Sequence, residues 1–242
     1  MKRAALIHLA TALALAFSAG AFAQGSRPTV AVIDFTNDGS GASWFHGDVG
    51  HQLASVLSNE LTSTGDFNVV ERQKVNAVLA EQDFATSGRV RRGTGPKTGN
   101  ITGAKYLVTG TVTSYTEDTS NTGGGVSFAG FHVGGGKSEA YVAIDLRVVD
   151  AETSEVVFSR TVEGRSTDSN VDVGGSTWYG LGGDFHHARN TPTSKAVRAA
   201  LVEASNYLDC AMVKRDGCMS SFDAKEQRRR SSDANALNLD GG

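Results

Sequence analysis

Beyond its first two dozen residues, the chain has no run apolar enough to cross a bilayer as a helix, which needs about 20 residues. Any further membrane contact would have to be made by β-structure. Cysteine is scarce: only Cys210 and Cys218 occur in 242 residues. Two are too few for a structural zinc site without well-placed histidines. An excess of positive charge is also missing, since 23 Lys and Arg face 26 Asp and Glu, for a net charge of −3. Nothing in the bulk electrostatics draws such a chain to nucleic acid. The basic clusters Arg89-Val90-Arg91-Arg92 and Arg228-Arg229-Arg230 sit in polar sequence and read as solvated.

Reactive patterns are missing as well. No serine sits in a nucleophile-elbow pattern, and neither cysteine has a histidine close by in sequence. His186 and His187 are adjacent and would point to opposite faces of a strand. His46 and His51 are five apart and do not share a helical face. The run from Gly130 to Gly136-Lys137-Ser138 looks like a phosphate-binding loop, but five residues stand where that motif needs four. A strand-like run follows it, where phosphate binding requires a helix N-terminus. No catalytic, cofactor-binding or metal-binding residue is assigned, and no cofactor is expected.

What is present begins with an export signal over residues 1–23. Lys2 and Arg3 precede an apolar run over residues 4–17, and Ala21-Phe22-Ala23 before Gln24 has the form of a cleavage site between Ala23 and Gln24. The address is the periplasm or outer membrane. In that oxidising compartment a Cys210–Cys218 disulfide is one reading, and two separate thiols are the other.

The body spans residues 24–210 and reads as an α/β domain, a mixed sheet flanked by helices. Residues 29–35 (TVAVIDF) form a buried first strand. Val49, Leu53, Val56, Leu57 and Leu61 follow at helical spacing, with Asp48 a candidate cap. Residues 67–71 are a short strand, and 73–82 a helix with Val75, Val78 and Leu79 on one face. Strands are expected over 105–115, 140–149 and 155–163, the last two joined as a hairpin. Thr191-Pro192 opens a final helix. Residues 211–242 form a polar tail, expected to be disordered.

Two glycine-rich insertions, residues 116–139 and 164–190, interrupt the last strands. Structureless loops of this length are uncommon in compact domains and are usually functional or disordered. Residues 119–136 carry no Asp, Glu, Lys or Arg. There Val126 and Phe128 alternate with small polar residues, and Phe131 and Val133 mark a return arm, as barrel strands of about 9–11 residues require. In the second insertion Val171, Val173, Trp178, Tyr179 and Leu181 are apolar, and Asp172 between the valines would face a watery lumen. Both are candidate barrel hairpins.

Several stretches together resemble the curli-secretion channel family (CsgG/HfaB). They are residues 67–72 (FNVVER), 78–81 (VLAE), 103–110 (GAKYLVTG) and 142–150 (VAIDLRVVD) with Thr153, Glu155 and Val156 after them. The similarity runs from about Val30 to Leu208. It implies a homo-oligomeric ring in the outer membrane, with two β-hairpins per subunit in one shared barrel. It also implies a secreted, unfolded polypeptide or an accessory periplasmic protein as partner, or the anchoring of surface fibres. Trp44 and Phe45 fall at the family's channel constriction, where a ring of aromatics would form an apolar collar. A local role, folding back on the following helix, is the other reading. The chain departs from the family at its start: Gln24 stands where family members have an acylated cysteine, so membrane association would depend on the barrel alone. The alternative function is a soluble periplasmic adaptor or regulatory module with the same core and no pore.

Overall fold

The computed structural model describes residues 27–39, 42, 44–119, 138–167, 170–171 and 191–237. The expected cleavage residues Ala23 and Gln24 lie outside them. So do the hairpin candidates Val126, Phe128, Phe131, Val133, Val173, Trp178, Tyr179 and Leu181.

A seven-stranded mixed sheet organises the chain. β1 (Thr29–Val32) is buried at Val30, Ala31 and Val32, and lies parallel between β3 (Asn68–Val69) and β4 (Tyr106–Thr119). The backbone then breaks at Phe35, whose ring turns inward over Gly110, before β2 (Thr36–Asn37) pairs parallel with β4. The expected first strand is thus two short ones. From β4 the sheet continues antiparallel through β5 (Ser138–Asp150), β6 (Val156–Thr167) and β7 (Asn170–Val171). Val171 therefore lies in a two-residue strand paired to the end of β6.

Helices α1 (Val49–Thr64) and α3 (Pro192–Asp209) pack on each other and on the sheet. In α1 the buried positions Leu53, Ala54, Leu57 and Leu61 repeat at helical spacing. Asp48 stands at the N-cap but its side chain caps nothing. In α3 the hydroxyl of Thr191 accepts from the Ser194 amide, and Pro192 occupies the first turn. Val142, Ile144, Leu146 and Val148 of β5 alternate into the core against Leu201, Ala204 and Leu208. Helix α2 (Val75–Thr86) is different: Gln82 is its one buried residue.

The tail corrects an expectation. Met219–Ala236 is a helix, α4, where disorder is predicted from the lack of apolar residues. Charge replaces apolar burial. Arg229 grips Glu226 through two nitrogens at 2.8 and 3.0 Å and reaches Asp233 at 2.8 Å, while Arg230 adds a bond to Glu226 at 2.6 Å. Such i,i+3 and i,i+4 pairs each support a helix by about 0.2–0.5 kcal/mol. Tertiary contacts hold α4 in place: Arg160 donates to Asp223 at 2.6 Å and Lys225 to Glu203 at 2.5 Å. The Phe222 ring meets Tyr207 edge-on at 5.5 Å. A Cys210–Cys218 disulfide ties the start of α4 to the end of α3. No described strand pairs with the outer edge of β6 ahead of Ser166, and α4 lies beside that edge. A helix beside a bare edge is one way to keep it from pairing with another chain.

Candidate functional site

The site is the end of the sheet from which both insertions leave. Polar sequence without apolar alternation obscured how far the strands run. The β4/β5 ladder continues past Tyr115↔Val142 to Thr119↔Ser138, and β6 continues beside it to Thr167. One register line crosses all three strands: Asp118 pairs with Glu139, which pairs with Thr167. Neighbouring strands in such a ladder lie about 4.8 Å apart. The first insertion is thus launched as the extension of the hydrogen-bonded β4/β5 pair, whereas the chain entering the second turns back after Thr167 and pairs antiparallel with the end of β6 through Asn170 and Val171.

The constriction candidates lie near this end. Trp44 and Phe45 are half-buried, with ring centres 5.8 Å apart, and Trp44 meets Tyr115 of β4 edge-on at 5.9 Å. Phe45 lies against Gly50 in the first turn of α1. The Tyr115 hydroxyl is hydrogen-bonded to that of Thr193 at 2.9 Å, fastening the start of α3 to the same cluster. The indole N–H of Trp44 is buried without a described partner, an arrangement that costs about 1–3 kcal/mol. Trp44 is thus seated on the root of β4 and Phe45 on the first turn of α1.

On the adjoining strands sits a cluster that residue-by-residue reading missed. The Tyr141 hydroxyl donates to Glu163 at 2.7 Å, and the Arg165 guanidinium stacks over the Tyr141 ring at 5.0 Å. Burial, reinforced by the bond to Glu163, pushes the Tyr141 hydroxyl well above its ordinary pKa, so it stays a neutral donor. The available signal was cross-strand: Tyr141 opposes Arg165, and Glu163 is two residues before it on the same face. The cluster borders a cleft of about 660 Å³ that α3 and α4 close from the other side. These groups are cross-strand ties that stiffen the root of the second insertion.

Other candidates fall elsewhere. His51 Nδ1 lies 3.4 Å from the Asp34 carboxylate, and Gln73 donates to both Asp34 and the His51 carbonyl, so these residues join α1 to the start of α2. His46 is exposed. Cys210, Asp216 and Cys218 come together, but both sulfurs are taken up in the disulfide. His186 and His187 lie outside the described residues.

The family model for the curli production assembly/transport component CsgG matches residues 14–236. The chain belongs to this family. The match extends beyond Leu208 and takes in α4. A candidate lipoprotein of Neisseria meningitidis serogroup B is 31% identical over 195 residues, 76% of each chain. Among solved structures, the hypothetical protein CT253 of Chlamydia trachomatis overlaps with a TM-score of 0.44 at 12% identity, covering 78% of this chain and 99% of that one. The PelC dodecamer of Paraburkholderia phytofirmans gives 0.34 at 17% identity over 74% of this chain and 86% of its own. Both overlaps are loose, and neither bears on function.

Proposed function

We propose that this chain is an exported outer-membrane component of the curli-channel type, in which identical subunits close a ring and their paired insertions close one shared barrel. The departure of the first insertion in line with the paired strands β4 and β5, with the second leaving beside it from the end of β6 through an antiparallel turn, is the observation that supports this reading. Spanning β-structure must close on itself, because lipid offers no partner to an open strand edge. Two hairpins from one chain cannot do so, and repetition around a ring can. The lumen would carry an unfolded polypeptide or seat a surface fibre. The subunit would act through conduit geometry alone, without covalent chemistry or cofactor. Trp44, seated on the root of β4, and Phe45 beside it would narrow the path.

Purified oligomer in a planar bilayer tests this. Wild-type protein is expected to conduct, and a chain lacking residues 119–136 is not, while its melting transition persists because the body of the sheet is untouched. Conductance by the deleted chain would overturn the barrel. Unaltered envelope localisation and partner binding by the deleted chain would favour a soluble adaptor. A Trp44→Ala, Phe45→Ala variant is expected to raise single-channel conductance. Unchanged conductance in a variant that still assembles would remove those two residues from the channel wall.

A further inference from the structure

Large apolar side chains are rarely left on a surface in contiguous groups unless something covers them. Helix α2 and the loop after it expose four: Val78 is 44% exposed, Leu79 43%, Phe84 47% and Ile101 41%. Val78 and Ile101 line a cleft that also takes in Val70, so this part of the patch lies beside β3, the strand at one end of the sheet order. The loop that follows α2 carries Arg89, Arg91, Arg92 and Lys97, all exposed, with Lys97 lining the same cleft, and among the described residues none of the four is in an ion pair.

A second patch occupies the opposite side of the sheet. A bulge between Val148 and Val149 leaves Val156 and Val157 exposed at the start of β6, at 53% and 39%. The turn that precedes them holds Glu152 and Glu155, both exposed, beside Asp150, whose carboxylate caps the turn by accepting from the Glu152 and Thr153 amides. One patch is apolar and basic; the other is apolar and acidic.

Their heights also agree. The loop after α2 returns to Lys105, whose amide bonds Thr29 at the start of β1, and Ala151 of the acidic turn bonds the Lys105 carbonyl. Both patches thus belong to the end of the sheet away from the insertions.

We infer that copies of this chain dock side by side, the α2 patch of one against the β5–β6 turn and first residues of β6 of the next. Such a head-to-tail contact joins unlike surfaces, so each docked copy leaves both kinds of patch free for another, and the series closes only as a ring. It also keeps every insertion pointing the same way. Opposite charge at the rim steers the encounter and sets the register, and the exposed apolar groups supply the buried centre. The inference rests on the ring assembly proposed above and adds which surfaces make it.

The test uses the full chain and analytical ultracentrifugation, with lipid vesicles as a second condition. Arg91→Glu with Arg92→Glu should raise the concentration needed for assembly by about tenfold or more, because like charges then face each other. Glu152→Arg with Glu155→Arg should do the same. An equimolar mixture of the two variants should assemble far better than either variant alone, since alternating copies pair opposite signs at every junction of an even ring and at all but one of an odd ring, and two unrelated losses could not complement in this way. The exposed positions leave the melting temperature unchanged. If wild type assembles and both variants do so equally well, these surfaces are not the interface, and the ring stands without them. A wild type that stays monomeric, with and without vesicles, sinks both the interface and the ring. If Phe84→Asp weakens vesicle binding and leaves assembly intact, the α2 patch is a lipid contact and the inference fails.

Discussion

Replacing Gly164 by alanine is expected to lower the thermal midpoint by about 6–12 °C. The position is buried in β6, where the sheet touches α3 most closely. A methyl group there would overlap the Ala196 carbonyl oxygen and come within 2.6 Å of the Ala200 nitrogen. These are backbone atoms of a helix, so no side chain can rotate away and α3 itself must move. Overpacking that forces backbone shifts costs about 3 kcal/mol at the upper end of its usual range. In a domain of this size each kcal/mol moves the midpoint by about 2–4 °C. Gly103→Ala is the control: an added methyl group there meets nothing within 4 Å, and the change should fall within about 0.5 kcal/mol of zero. Circular dichroism melts decide. A Gly164→Ala midpoint within 2 °C of wild type would mean that α3 does not sit this close to β6 at the root of the second insertion.

Gly164 also shows where sequence reading stops. In the sequence it is one glycine among many, and it reads as the first residue of an insertion. In the fold it is a strand residue whose missing side chain lets α3 approach, and composition cannot separate those two roles. The true lengths of β4, β5 and β6 were hidden for another reason: residues 116–119, 138–139 and 164–167 are almost all polar or charged, so no apolar alternation marks them as strand. Where apolar spacing was clean it was enough: α1, α3 and the inner face of β5 follow the 3.6 and 2.0 periods, and the mixed sheet follows from their order. Helix α2 shows a subtler limit. Val78 and Leu79 sit at core-like spacing yet stand exposed, since periodicity reports that a face wants cover and not whether its own chain provides it. Likewise, the Trp44–Tyr115 and Tyr141–Glu163–Arg165 contacts join distant stretches, and pairing register alone reveals them.

Helix α4 escaped prediction because charge and a covalent tie hold it, and removing the tie should release it. In a Cys210→Ser, Cys218→Ser variant, amide exchange across α4 is expected to speed by at least tenfold at pH 7, while the rates in β4 and β5 stay as they were. The cysteines are 8 residues apart, and closing so short a loop is worth roughly 2–3 kcal/mol by chain entropy. What remains is weak: the Lys225 and Asp223 ends of the two anchoring ion pairs are substantially exposed, and pairs of that kind contribute about 0–1 kcal/mol. Acid then provides an independent lever. Bonds from Arg229, with further help from Arg230, hold the Glu226 carboxyl down at about 2 against an ordinary 4.5. A carboxyl lowered by folding stabilises fully above its unfolded value, and that support is lost as pH falls from about 4.5 to about 2. Wild-type α4 should therefore loosen across that window while the disulfide keeps its first turn in place, and the serine variant should lose the whole helix. The loss uncovers the outer edge of β6, so the variant should also aggregate sooner in acid, as bare strand edges do. Exchange across α4 that matches wild type at pH 7 would show that side-chain contacts alone hold the helix, and would leave the disulfide no part in guarding the sheet.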